Sequence, residues 1–334
     1  MPQAFALVRP LAVAALALSV LPAPASAQLD PSRVVDAFEA VNGKHAGFRR
    51  SGAKGVCASG EFTGSAEGRA LSSASAFSGR PVPVIARFSV GGGNPKAPDN
   101  ARGVRGLSLR FELPGGETWQ MANISAPVFG AASPEQLLAG LEARRPDPAT
   151  GRPDADRVKA FVDANPETLL QGRYLASQPV PASYATLNYW GVNAFAFVDA
   201  KGERRFGKWI FEPVGGTQGL SDDEAKARPT EFLIDELRRR VAAGPIAFDF
   251  MIQLAEPGDR VDSAVVPLPE GRRKVNAGRL VIREVEAGPG GACADVTFNP
   301  IALPAGVEPS SDPILLGRAA PYVVSLSRRV VEAR

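Results

Sequence analysis

Hydrophobic positions along this chain follow two periods. Gly106-Leu-Ser-Leu-Arg-Phe-Glu-Leu113 alternates with period two and stops at a Pro-Gly-Gly turn, the pattern of a strand with one apolar face. Runs of β-branched and apolar residues at 55–63, 82–90, 192–198, 206–212, 247–254 and 278–286 predict further strands. Helical signals interrupt them. Ser133-Pro-Glu-Gln136 supplies an N-cap, a proline at the first helical position and a glutamine two residues on, and starts a helix that runs to about Arg145. Residues 154–164 and 229–243 place apolar side chains at helical spacing, the second segment stopped by Gly244-Pro245. Asp312-Pro313 caps a last helix directed toward the C-terminus. No repeat, low-complexity tract or linker divides residues 28–334, which read as a single domain. Many strands joined by turns and broken by helices predict an α+β fold on a closed or nearly closed antiparallel barrel.

The first 27 residues stand outside that pattern. Arg9 precedes the eleven-residue apolar run Leu11–Leu21, too short for a bilayer, which needs about 20 residues. Pro22 and Pro24 end the run, and Ala25-Ser26-Ala27 gives a small-x-small cleavage pattern ahead of Gln28. Residues 1–27 are therefore expected to be a secretory signal peptide. No later segment reaches the length of a membrane span, so the mature chain is expected to be exported and, in a Gram-negative source, periplasmic.

Composition narrows the chemistry. The 38 Lys and Arg against 35 Asp and Glu give a net charge of +3, spread along the chain, which favours a solvated surface over a nucleic-acid partner. One histidine and two distant cysteines exclude a Cys/His zinc module and a histidine-rich metal site. Any reaction that needs a histidine base has one candidate, His45. Gly91-Gly-Gly-Asn-Pro95 lacks the lysine and spacing of a phosphate loop and reads as a turn. The flanks of Cys57 and Cys293, Gly55-Val-Cys57 and Gly291-Ala-Cys293, both read as short strands. In an oxidising compartment the two either pair, closing a long loop worth roughly 3–5 kcal/mol, or remain buried free thiols.

The C-terminal helix carries the most informative pair. Arg318-Ala-Ala-Pro-Tyr322 sets a guanidinium and a phenol four residues apart on one helical face. A guanidinium beside a phenol favours phenolate, and tyrosinate is one of the few protein donors that hold haem iron. Pro321, just before the phenol, removes a backbone donor and is expected to bend the helix. The longer segment Phe298-Asn-Pro-Ile to Arg318-Ala-Ala-Pro-Tyr322 resembles the proximal haem segment of the catalase family. A second block agrees in order and spacing: Val84-Ile-Ala-Arg87-Phe-Ser89, Arg105-Gly-Leu-Ser-Leu-Arg-Phe111 and Ala126-Pro-Val-Phe129. The resemblance covers residues 42–329 or so and is strongest to the short, exported catalase-related peroxidases.

That resemblance implies a catalase-type barrel with helical excursions and a C-terminal helix bearing the haem ligand, one haem b held by Tyr322. It implies Arg318 on the phenolate oxygen, and Arg49, Arg105 and Arg329 on the haem propionates. Bidentate Arg–carboxylate pairing is the reason for that residue type. It also implies a peroxide substrate and an electron donor of unspecified identity, and leaves a homo-oligomer open. The distal side departs from the pattern. Where relatives carry a histidine before Ala-Lys-Gly, this chain has Gly52 before Ala53-Lys54-Gly55, and His45 lies seven positions earlier. Ser125 stands where full catalases carry asparagine, leaving His45 and Ser125 as substitutes for the missing acid–base pair. Three functions fit: a haem peroxidase acting on organic peroxides or H2O2 through an oxoferryl intermediate, with weak or no catalase activity; a haem-binding sensor, carrier or small-ligand binder; and a barrel without haem that binds an apolar molecule.

Overall fold

The computed structural model describes residues 29–288 and 291–332; the expected signal peptide, 1–27, lies outside them. In chain order the strands are β1 Gly55–Gly64, β2 Val82–Val90, β3 Arg105–Glu112, β4 Thr118–Ile124, β5 Val180–Pro181, β6 Tyr189–Trp190, β7 Phe195–Val198, β8 Arg204–Pro213, β9 Gly219–Leu220, β10 Ile246–Leu254, β11 Lys274–Val285 and β12 Val307–Pro309. The α-helices are α1 Pro31–Asn42, α2 Ala66–Leu71, α3 Pro134–Ala143, α4 Ala155–Ala164, α5 Leu169–Ser177, α6 Asp222–Ala227, α7 Phe232–Ala243, α8 Pro313–Leu316 and α9 Ala319–Glu332.

The predicted barrel is there, and it is closed. Strands run β10-β11-β1-β2-β3-β4-β6-β8, and β8 pairs back onto β10; each of these pairings is antiparallel. Closure removes the edges that would otherwise pair with other chains. β7 and β12 continue outward from β8, and β5–β9 form a separate two-stranded pair. Alternation sorts the side chains. Val84, Ala86 and Phe88 of β2 and Leu107, Leu109 and Phe111 of β3 join the apolar core. There Phe62, Phe111, Trp119, Trp209 and Phe250 pack edge to face, with Phe62–Phe111 at 5.2 Å and Trp119–Trp209 at 5.8 Å. The barrel interior is thus packed with aromatic rings, and the cavities described below lie outside it.

Most expected elements appear near their expected bounds. Ser133 caps α3 by accepting from Gln136 N, and Asp312 caps α8 by accepting from Ile314 N. Three expectations need correction. The last helix is two pieces, broken at Gly317–Arg318, so Pro321 falls in the first turn of α9, where its absent N–H has no intrahelical partner to lose. The expected strand at 192–198 forms only at Phe195–Val198. Cys293 sits in a turn over 292–295, not in a strand, while Cys57 does lie in β1. The two are joined as a disulfide, and among the described residues no free cysteine remains.

Candidate functional site

A cavity of about 210 Å³ lies between the outer barrel wall and α9. Its barrel wall is made of the outward positions of adjacent strands: Arg87 and Ser89 of β2, Gly106 and Ser108 of β3, and Ile124 of β4. Register explains the grouping, since Arg87 pairs with Ser108 and Ser89 with Gly106. Apart from Arg87 and Ile124 these residues are small, which leaves a shallow floor. A Cβ on Gly106 would stand 2.6 Å from Ser89 Oγ, and one on Gly55 would stand 2.7 Å from Arg87 Cζ. Glycine at these points lets the floor residues approach the strands.

The opposite wall is one face of α9. Arg318 just before it, then Pro321, Tyr322, Ser325, Leu326 and Arg329, recur at helical spacing along the cavity. Val35 and Phe38 of α1, the segment Arg49–Gly52, and Thr297 and Phe298 close the remaining sides. Phe298 has φ +53°, a left-handed conformation uncommon for an aromatic residue, and its ring lies under the Arg49 guanidinium, 5.6 Å away.

The Arg318–Tyr322 pair forms as expected. Arg318 donates to Tyr322 Oη from Nε at 3.1 Å and from Nη2 at 2.5 Å. Behind it runs a buried chain not foreseen in the sequence. Arg318 Nη1 donates to Asn193 Oδ1 at 3.4 Å, and Asn193 Nδ2 donates to Asp312 Oδ2 at 2.8 Å. Asp312 is fully buried, its other oxygen capping α8, so the guanidinium is held from behind by a fixed acceptor.

The second charged feature is a trio of guanidiniums. Arg49, Arg87 and Arg329 line both this cavity and an adjoining one of about 620 Å³. None has a carboxylate within ion-pair distance among the described residues. Arg49 donates instead to the carbonyls of Cys293, Ala294 and Val296, Arg329 to Ala294 O, and Arg87 to Ala53 O. Burial first, then repulsion from Arg87 and Arg329, disfavours the charged form of Arg49. Asp295, on the adjoining cavity, partly offsets the charge of Arg49 and Arg329. Among the described residues no carboxylate lines the 210 Å³ cavity itself, and three clustered cations facing it make an anion site.

Three expected site residues lie elsewhere. Arg105 is buried, and its guanidinium is spent on the carbonyls of Asp99, Ala101 and Gly103 at 2.7–3.0 Å. Ser125 accepts from the backbone N of that same Arg105 at 2.8 Å, and both line a different cavity of about 270 Å³. His45 donates a ring N–H to Asn42 O at the end of α1 and lines none of these cavities. Arg87 takes the place expected of Arg105. A signal for it was present: a lone cation in the apolar run Val82–Val90, out of phase with the core positions Val84, Ala86 and Phe88. Gly52 does line the cavity, with φ +65° and Ser89 Oγ 3.3 Å from where its Cβ would be.

A family model described as catalase matches residues 25–332. The chain belongs to the catalase family. It is 41% identical over 91% of its length to a catalase-related peroxidase of Synechococcus elongatus, covering 90% of that protein. It is 35% identical to a catalase-related peroxidase of Mycolicibacterium paratuberculosis, again over 91% of this chain and covering 96% of the relative. A catalase of Latilactobacillus sakei is 28% identical, and the chain spans 59% of it. A fungal catalase crystal structure superposes with a TM-score of 0.77 at 22% identity, over 89% of this chain and 62% of that one. Catalase A from Saccharomyces cerevisiae gives the same TM-score at 20% identity, over 89% and 64%. Membership of the catalase family implies a bound haem. The cavity suits one: a phenol oxygen anchored by arginine on one wall, a shallow floor of small residues on the other, and unpaired guanidiniums at one end for a dianionic edge.

Proposed function

We propose that this chain binds haem b and acts as a peroxidase, reducing organic peroxides or H2O2 with an external electron donor and with weak or no catalase activity. Tyr322 would hold the iron through its phenol oxygen, with Arg318 donating to that oxygen and Asn193 and Asp312 fixing Arg318. Arg49, Arg87 and Arg329 would take the propionates. Bound haem supplies the redox-active iron at which a peroxide O–O bond is cleaved. The resemblance to two catalase-related peroxidases along nearly the full length supports this reading over that of a full catalase.

The observation that carries the modest activity is Gly52. No histidine lines the cavity, so a peroxide proton must move by way of water, without the roughly 10²–10⁴-fold help of a positioned acid–base group. Ser89 Oγ lies 3.3 Å from where a Gly52 Cβ would stand and would orient such a water. The same glycine favours a second reading, a haem protein that binds ligands without turning them over. The purified chain separates the two: its spectrum is recorded before and after cumene hydroperoxide or peracetic acid, with an oxidisable donor present. Sustained donor oxidation supports the peroxidase, and a haem spectrum without it supports the binder. Absence of a Soret band overturns both. The reading includes export: removal of residues 1–27 leaves a mature chain beginning at Gln28, working in the periplasm of a Gram-negative source. N-terminal sequencing of the secreted fraction tests this, and an intact Met1 would refute it.

A further inference from the structure

We infer that the Cys57–Cys293 disulfide positions the anion-binding arginines, so that the grip on a dicarboxylate cofactor edge depends on the crosslink. This deepens the haem reading above and rests on it. Arg49 comes from the segment after α1, and Arg329 from the C-terminal helix α9. They meet on one turn. Arg49 Nη2 donates to Cys293 O at 2.9 Å, Ala294 O at 3.1 Å and Val296 O at 2.7 Å, and Arg329 Nη1 donates to Ala294 O at 2.9 Å. Arg87, the third member, stands directly across from Cys57 in the β1–β2 register. Each arginine therefore touches, or is paired with, a residue at or beside the crosslink.

Among the described residues the turn has few other anchors. Residues 292–295 belong to no strand or helix. Its short-range bonds are Ala294 N to Gly291 O and Val296 N to Cys293 O, and Ala292 N donates to the carboxylate of Glu286. Both cysteines are buried with Val296 and Phe298 in a small cluster separate from the main core. Like charges held close repel, and here fixed carbonyl dipoles oppose that repulsion. Without the crosslink the turn is free to shift, the acceptors move with it, and Arg49 and Arg329 lose the orientation that presents them to an anion. Cys57 and Cys293 are thus positioning residues acting through Arg49 and Arg329.

The test uses the full mature chain and haemin as probe. Haemin affinity is titrated by absorbance for the oxidised chain, the chain reduced with dithiothreitol, and the Cys57→Ser/Cys293→Ser double variant, each also with Arg49→Ala/Arg329→Ala. Thermal melts of the haem-free proteins run in parallel. Loss of the crosslink is expected to weaken haemin binding by about tenfold or more, and the loss is expected to vanish when the two arginines are already gone. Equal affinity with and without the crosslink overturns the inference. So does an equal loss in the arginine-deleted background, which marks general loosening. Hydrogen exchange over residues 291–298 of the haem-free chain gives a readout independent of haem: reduction is expected to speed it, and unchanged exchange counts against the inference. A wild-type chain that takes up no haemin overturns the haem reading itself, and the exchange arm then decides whether the crosslink holds the turn.

Discussion

Tyr322 offers one oxygen to the cavity, and Arg318 donates to it twice. Tyr322→Phe is expected to abolish or weaken haem uptake while shifting the melting temperature little, because the ring is only partly buried; an unchanged Soret spectrum would remove Tyr322 as ligand. Gly52→His places an imidazole beside Ser89 at φ +65°, a left-handed conformation that costs a residue with a Cβ roughly 1–2 kcal/mol. Peroxide consumption is expected to rise roughly 10²–10⁴-fold, whereas His45→Ala leaves it unchanged, since His45 serves the end of α1. The two arginines exchanged between sequence and structure separate cleanly. Arg87→Ala should weaken haemin binding in an absorbance titration. Arg105→Ala should instead lower unfolding stability by roughly 1–3 kcal/mol, by orphaning the buried Asp99 carbonyl and emptying the space of a buried side chain, with haemin affinity intact. At this scale the sequence was partly legible. Arg318 and Tyr322 stood out by type and spacing, Arg49 and Arg329 only through the family resemblance, and all four line the cavity. Arg105 was misread because direction is not a sequence property: its guanidinium turns back into its own loop.

At the scale of elements, α9 is tied to the segment that carries Arg49 and Gly52. Glu332 accepts from Arg50 Nη2 at 2.6 Å and from Gly47 N at 3.2 Å, and pairs with Lys44 at 3.4 Å. The Arg50 hydrogen bond chiefly, then Gly47 N and Lys44, lowers the carboxyl to about 2. An unfolded glutamate titrates near 4.3 or so, so folding favours the ionised form. The clasp's contribution is complete above that value and is lost as pH falls from about 4.3 toward about 2. Urea unfolding of wild type and Glu332→Gln should therefore differ by a constant amount above pH 5 and converge toward pH 2; a difference that persists at pH 2 contradicts the assignment. Element signals varied in legibility. Ser133-Pro134 and Asp312-Pro313 announced their helices, yet Asp30-Pro31 opens α1 with the same chemistry and was passed over. The apolar alternation of β4, Trp119 and Met121, is broken at Asn123; Asn123 holds its inward position by accepting from Trp209 Nε1 and donating to Leu107 O, partners that exist once the barrel has closed.

For the whole molecule, the crosslink spans a sequence separation of 236 residues, joining a strand near the start of the barrel to a turn after its last strand. Reduction should lower the unfolding free energy by roughly 3–5 kcal/mol in chemical denaturation, and a loss near zero would mean the unfolded chain is already compact. Among the described residues no helix is long and apolar enough to cross a membrane. The period-two runs determined by themselves that this chain builds antiparallel sheet with one buried face; that the sheet closes was decided by the pairing of β8 back onto β10. The Arg–Tyr spacing likewise determined that guanidinium and phenol meet, since Arg318, immediately before α9, stands one turn from Tyr322. Tertiary structure decided the rest. Only closure showed the interior filled with aromatic rings and the cavity outside it. Only the packing of α9 against the outer wall brought Arg49, Arg87 and Arg329 together from three distant segments. Only there did it become evident that glycine faces the cavity while the single histidine does not, because convergence of distant segments depends on strand register and helix packing, which no local pattern encodes.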